Sequence, residues 1–467
     1  MFALAGHPNA LSEDQLDVIH QAALGLAEDV GLLVAHDGLL RRLAGQEGVR
    51  IVGQRVHFRS DLIEAALQAM RFPPAPHPDR YTIICGAYVI ATQDLQTGEV
   101  RPTTQRDLVE LTILAEQLGM AGSPAVRPLD LPEPLQEIAM YKTTWEYSAH
   151  RPEPLFDTTP MSTVEAAETI YEMAQAIGKP FSVGMYLISP FTCPLEGMNV
   201  IHAFLDRGVP MWIGTMPVAG LTAPVFMFGA HVQALAELMA GTALLYTLTE
   251  NRVPIFWTPI DSVRAHPFDM RHAIFVYGSP EDQMGTILQA QINRRYGCPL
   301  VAKSLLTTAR EPDEQAAAEK CSHTLLSALL GFRIFTNAGF LSDDDYLSPL
   351  QVIIDHEIVQ YVRHVVEGIA CDERAMALEV IREVAGGKGN FLEHESTLRS
   401  FREAAWDPPL FAHIGRKAQG TQAAPPLLER ARRKAEQLIR AGDYVLPEAE
   451  RRLLEQIYRR AAQRVMA

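Results

Sequence analysis

The chain has 467 residues, room for one large elaborated domain or two to three average ones, so core size sets no constraint. Its 41 Lys and Arg against 56 Asp and Glu give a net charge of −15, which repels a phosphate backbone over most of the surface and argues against nucleic acid as a partner. At 48% hydrophobic and 21% charged residues, with 31 Gly and 31 Pro, the composition is that of a folded protein and excludes a disordered or fibrous one.

From Met1 to His7 there is neither a basic region nor a long apolar run, and Glu13, Asp14 and Asp17 follow, so no secretory signal is read. No apolar stretch reaches the roughly 18 residues of a membrane span. A cytoplasmic protein without a membrane partner is expected. Cys85, Cys193, Cys298, Cys321 and Cys371 lie far apart with no Cys-x-x-Cys pair, which predicts reduced thiols and no metal site.

Helical periodicity begins at a Ser12-Glu13-Asp14 cap and runs through Ile19, Ala23, Leu26 and Val30, with a second stretch over 61–70. Pro73, Pro74, Pro76 and Pro78 then close an N-terminal helical extension, 1–78. Over 79–371 short apolar runs at 83–91, 120–126, 154–158, 181–188, 209–215, 253–258, 298–303 and 332–338 read as strands. Helical stretches near 105–119, 133–149, 163–177, 195–207, 224–250, 281–296, 313–330 and 350–369 alternate with them, several opened by caps such as Ser162/Thr163 and Ser279-Pro280. Such alternation implies parallel strands with right-handed crossovers. Eight units in about 290 residues predict an α/β fold of the closed (β/α)8 TIM-barrel type, with an open Rossmann-like sheet as the runner-up. From 372 to 467 the chain is helical and charged, a C-terminal helical cap; its basic run Glu429-Arg430-Ala431-Arg432-Arg433-Lys434 reads as a solvated face.

No Gly-x-Gly-x-x-Gly, Walker loop, His-Glu-x-x-His or Gly-x-Ser-x-Gly occurs. In a barrel the place to look is the C-terminal end of each strand. Rings and soft apolar groups collect there: Tyr88; Tyr186 and Phe191; Trp212 and Met216; Phe256 and Trp257; Phe335 and Phe340. Any one of them is explained by an apolar barrel core, but their clustering at one end favours an aromatic-walled pocket for a cation. Polar candidates are few: Lys303, Ser304, Thr307, Thr308 and Arg310 after the seventh strand, Thr336 and Asn337 on the eighth. Arg310 is either a surface arginine pairing Glu311 or Glu314 or a clamp for a substrate carboxylate. Lys303 at a strand end also fits a Schiff-base lyase, and His231, inside a helix, reads as a core histidine. No residue is assigned as acid or base.

The segment Gly214-Thr215-Met216-Pro217-Val218-Ala219-Gly220-Leu221-Thr222-Ala223-Pro224 resembles the signature of the trimethylamine methyltransferase family. Three further blocks resemble it in order: Asp94-Leu95-Gln96-Thr97-Gly98-Glu99; Gly278-Ser279-Pro280-Glu281 with Tyr296-Gly297-Cys298-Pro299; and 350–358 leading to 391–399. The resemblance implies a barrel that moves a methyl group from a methylamine or quaternary amine to the Co(I) corrinoid of a separate small protein, with no cofactor held tightly by this chain. Founding members use pyrrolysine; this sequence contains none and looks like the non-pyrrolysine branch, some of whose members act on glycine betaine. The resemblance puts Arg310 in a loop facing the site and Tyr88 and Phe191 among its rings. Many members read His-Gly-Ala-Gly-Gly at the eighth strand, where this chain has Thr336-Asn337-Ala338-Gly339-Phe340. The substrate set is therefore Tyr88, Tyr186, Phe191, Trp212, Met216, Trp257, Arg310, Thr336, Asn337 and Phe340. The expected partners are a corrinoid-binding protein and a small quaternary or tertiary amine, and a homo-oligomer is compatible with the sequence. The alternatives are the Lys303 lyase and a non-catalytic quaternary-amine-binding paralogue.

Overall fold

A computed structural model describes residues 10–74, 80–86, 88–412 and 425–466, so Pro76 and Pro78 fall outside it. The fold is mixed α/β, but the expected strict alternation is broken: Gln105–Gln117, Glu133–Tyr147 and Val164–Ala176 follow one another with no strand between them, and strands return from Val183 onward. Two parallel three-stranded sheets form its centre: Val301–Ala302, Ile334–Ala338 and Thr82–Cys85 in one, Val183–Leu187, Met211–Thr215 and Ile255–Trp257 in the other. Register runs Val183 to Met211 to Ile255 in the second, and Val301 to Ile334 to Thr82 in the first. A lone bridge, Ile84 to Ala121, extends the first sheet by one position.

Among the described residues these ladders do not join into a closed ring. The 154–158 run, expected as a strand, is a turn: the N–H groups of Phe156 and Asp157 both go back to the Glu153 carbonyl, at 2.9 and 2.8 Å. Prolines at 152 and 154 have no N–H to give a ladder, which leaves Leu155 and Phe156 buried without strand pairing.

The helices follow the sequence closely because their caps do. Thr104 and Asp107 form a reciprocal capping box at the start of Gln105–Gln117. Thr163 accepts from Ala166 ahead of Val164–Ala176, Ser279 from Asp282 ahead of Pro280–Arg295, and Asp313 from Ala316 ahead of Glu314–Leu329. Each such cap contributes about 1 kcal/mol. Met227–Thr249 is mostly apolar with no single apolar stripe and is buried for most of its length, because Glu13–Val30, Ser60–Ala69 and the Met211–Thr215 strand pack around it. No described helix is long and apolar enough to cross a membrane.

Two regions differ from expectation. The N-terminal extension is not all helix: Leu32–Leu33, Arg55–Phe58 and Val49–Val52 make a small antiparallel sheet between its helices. Strands of two to four residues are too short to show a period. The C-terminal region is not one cap. Leu427–Ala441 packs on Pro349–Glu367 and Gln105–Gln117, burying Ala431 and Ala435, and Glu448–Met466 packs on Glu133–Tyr147 and Val164–Ala176. The helices Glu373–Met376, Leu378–Ala385 and Glu395–Ala404 between them bury no residue at all.

Candidate active site

The period of two along the central strands decides which rings face inward. Val183, Met185 and Leu187 join the core against the helices, so Gly184 and Tyr186 lie on the opposite face. On the neighbouring strand Met211 and Ile213 take the helix side, leaving Trp212 and Gly214 beside Tyr186. The Tyr186 and Trp212 rings meet edge to face at 5.4 Å. The glycines make the room: a Cβ on Gly184 would lie 2.2 Å from Trp212, and one on Gly214 2.7 Å from Tyr186.

A cavity of about 320 Å³ opens above these rings, at the C-terminal ends of both sheets. Its wall carries Tyr88, Tyr186 and Phe156 with Ile84, Ile260 and Met216. Thr158, Thr336 and Asn337 add neutral polar groups. Thr336 Oγ1 donates to Asn337 Oδ1 at 2.6 Å, and Asn337 holds φ 70, a left-handed conformation that asparagine tolerates.

Lys303 and Asp261 are the charged residues of the lining. Lys303 Nζ lies 2.5 Å from Asp261 Oδ1, and Tyr186 donates to Asp261 Oδ2 at 3.1 Å. Burial pushes the Asp261 carboxyl up, but Lys303 and His266 outweigh it and hold the group well below the usual range. His266, 3.5 Å from the same oxygen and fully buried, is pushed down to about 4, first by burial and then by Lys303. The hydroxyl of the wall residue Tyr88 donates to Asp344, which is not itself part of the lining and whose carboxyl is raised, chiefly by burial. Asp344 sits in a loop where Ser342, Asp343 and Asp344 all have positive φ, at 52, 65 and 102°. That loop is fastened to the one after Val301–Ala302: Ser342 N–H reaches the Ala309 carbonyl at 2.8 Å and Asp343 N–H the Thr307 carbonyl at 3.0 Å.

Of the residues picked out in the sequence, Tyr88, Tyr186, Met216, Thr336 and Asn337 line this cavity, as does Lys303. The other rings do not. Trp212 is fully buried beneath Tyr186. Trp257 falls on the helix side of its strand, where Nε1 donates to Thr242 Oγ1 at 2.6 Å and the ring meets Tyr296 at 5.2 Å. Phe191 is core, its N–H bonded to Glu237 at 3.2 Å, and Phe340 packs in the core beyond the Gly339 turn. Arg310 is exposed and off the wall; its carbonyl accepts from Tyr346. Sequence reading missed Phe156 and Asp261 on the wall and Asp344 behind Tyr88. Asp261 was findable, since Thr258-Pro259-Ile260-Asp261 leaves directly from the end of the Ile255–Trp257 strand.

Glu237, fully buried on the Met227–Thr249 helix, ties the strand ends down: it accepts from Thr215 Oγ1, from Ser189 Oγ at 2.7 Å and from Gln233 Nε2 at 2.9 Å. Thr215 adjoins the wall residue Met216, so the helix fixes the position of the cavity's edge.

A small, ring-bearing cavity with few convergent polar groups, at the strand ends of an α/β fold, is the architecture of a small-molecule enzyme. The family model described as trimethylamine methyltransferase (MTTB) matches residues 5–465. The chain is 24% identical to a glycine betaine methyltransferase of Desulfitobacterium hafniense (strain Y51) over 467 residues, covering 94% of this chain and 93% of that protein. It is 24% identical to the trimethylamine methyltransferase MttB of Desulfitobacterium hafniense (strain DSM 10664 / DCB-2), over 86% of this chain and 82% of that one. To the MttB of Methanosarcina thermophila it is 30% identical over 224 residues, 48% of this chain and 45% of the relative. The chain belongs to the trimethylamine methyltransferase family and is a methyltransferase.

Proposed function

We propose that this enzyme moves a methyl group from a quaternary amine, betaine-like in its N-methyl head, to the Co(I) corrinoid of a separate small protein. The observation that carries the reading is the cavity: three rings, Tyr88, Tyr186 and Phe156, line a space with ample room for a small methylated ammonium group. A corrinoid is far larger than about 320 Å³, which supports its delivery by a partner over the open mouth. Bound there, the corrinoid supplies the nucleophile.

What remains for this chain is positioning. Loss of one methyl turns a quaternary nitrogen into a neutral tertiary amine, so the leaving group needs no proton and no general acid. Tyr186, edge-on against Trp212 and tethered to Asp261, is a rigid wall. The rings orient one N–CH₃ bond toward the mouth and keep water away from the others. Because the substrate's charge vanishes in the reaction, over-strong cation binding would stabilise the ground state and slow turnover.

We read the two parallel sheets as arcs of one (β/α)8 barrel over residues 79–371, flanked by 1–78 and 372–467. Support comes from an interior cluster that joins Ile84, Val301 and Ile334 of one arc to Ala121 and Phe156 in the gap beside it, with Ile260, just past the end of the other arc, packed against them. We place the protein in the cytoplasm, where an exposed thiol such as Cys371 stays reduced. The Schiff-base reading of Lys303 finds no support, since its amine is taken up by Asp261.

The test is incubation with Co(I) cobalamin and a panel of quaternary amines. Methylcobalamin, read from its absorbance spectrum, is the expected product; folded protein that yields none with any amine overturns the reading.

A further inference from the structure

The relatives' names divide between a donor with a carboxylate and one without, and the charges around the cavity bear on that choice. Lys303 and Asp261 cancel each other at 2.5 Å, and the second Asp261 oxygen is taken by Tyr186 at 3.1 Å. His266 behind them is neutral at physiological pH, its value pushed down to about 4 by burial and by Lys303. Asp344 is then left over. Its one side-chain hydrogen bond among the described residues comes from the neutral Tyr88 hydroxyl, and no described cation forms an ion pair with it. Lys303 and Asp261 act on it only through space, with opposite signs. The loop bonds to Ala309 and Thr307 hold the carboxylate toward Tyr88.

Among the described residues no cation on the cavity wall is free to receive a substrate carboxylate. Arg310, the one arginine expected to clamp it, is exposed and away from the wall, and Lys303 is committed. A zwitterion seated among these rings would bring its carboxylate toward Asp261 and Asp344 with no free cation on the wall to receive it. Like charges placed together in a shielded site discriminate strongly.

We propose that this site selects a methylated ammonium cation that carries no carboxylate, with Asp344 as its counter-charge and Tyr88 as the ring that aims Asp344 at it. The proposal rests on the methyl-donor reading above and narrows its substrate class. It also assigns Asp344 a role in specificity exerted through Tyr88: the carboxylate lies beyond the hydroxyl of that wall ring, outside the lining itself, and acts on the ammonium's charge and not at the methyl that leaves.

The experiment is calorimetric titration of the full chain with tetramethylammonium, choline and glycine betaine, on the wild type and on Asp344→Asn. Expected is binding of the two cations on the order of tenfold tighter than glycine betaine, with the preference collapsing in Asp344→Asn. Should that variant not fold by thermal melt, Tyr88→Phe reads the same contact and is expected to lose part of the preference. Glycine betaine binding as tightly as the cations, or a preference that survives in the variant that folds, overturns the proposal while leaving the methyl-donor reading intact. Absence of binding by all three ligands overturns both.

Discussion

Tyr88 and Asp344, 256 positions apart in the chain, meet through a hydroxyl-to-carboxylate hydrogen bond, the tyrosine on the cavity wall and the aspartate behind it. In the substrate assignment proposed above, that contact keeps a negative charge near the donor nitrogen before reaction, when the nitrogen is positive, and afterwards, when it is neutral. Its kinetic signature follows. In steady-state assays with a cationic donor, Asp344→Asn is expected to raise KM by about tenfold with kcat unchanged or higher, because the lost interaction belongs to the ground state. A fall in kcat with KM unchanged would assign Asp344 to the transition state.

The Lys303–Asp261 pair is nearly closed to water, the two side chains being 5% and 3% exposed. Lys303→Met leaves a buried carboxylate without its cation, and the expected loss in urea unfolding is about 3–5 kcal/mol. Adding Asp261→Asn to that variant removes the stranded charge and should recover a good part of the loss. Equal stability for the single and double variants would refute the pairing.

His231, His266 and His323 are all fully buried, and burial pushes each of them down to about 4 from an ordinary value of 6.5. Between those values the unfolded chain takes up protons that the folded chain refuses, so stability is complete above pH 6.5 and is lost as the pH falls toward 4. Each histidine accounts for at most about 3 kcal/mol of that loss. His323 Nε2 bonds Thr286 Oγ1 at 2.8 Å, a bond that His323→Gln can keep, and the variant should show a smaller drop in urea midpoint from pH 7 to pH 5 than the wild type.

Gly214 lets the Tyr186 ring lie flat across the sheet. A methyl there would stand 2.5 Å from Thr258 Cγ2 and 2.7 Å from Tyr186 Cδ1, both in the packed wall. Gly214→Ala is expected to cost about 1–3 kcal/mol in thermal unfolding and to weaken donor binding by moving Tyr186. A variant that melts lower yet binds the donor as before would show that Tyr186 is not part of the cage.

Much of this arrangement can be read in the residues alone, and the reason is local. Helices such as Pro280–Arg295 and Glu314–Leu329 carry their start signals next to them, in Ser279-Pro280 and Asp313. The Met211–Thr215 strand is an uninterrupted buried run and falls within the 209–215 stretch. The ribbon of Ala91–Gln93 and Val100–Pro102 escapes, because strands of three residues have no period to detect and the first pairs with Tyr346–Leu347 from far along the chain. The cavity divides the same way. Tyr186 and Thr336 follow from lying near strand ends. Trp257 does not, since its neighbour Phe256 is equally aromatic and only the register decides which ring faces the helices. Asp344 could not be found from its own segment, because what makes it matter is Tyr88.

The docking of Glu448–Met466 sets how short this protein can be made. Leu454, Ile457 and Ala461 cover one side of the helices Glu133–Tyr147 and Val164–Ala176, while Ala431 and Ala435 cover Gln105–Gln117. A recombinant version ending at residue 371 would keep every strand that surrounds the cavity and still present four greasy helix flanks to solvent, Pro349–Glu367 among them. The last forty residues are thus the outer skin of the catalytic body, and a minimal enzyme has to include them.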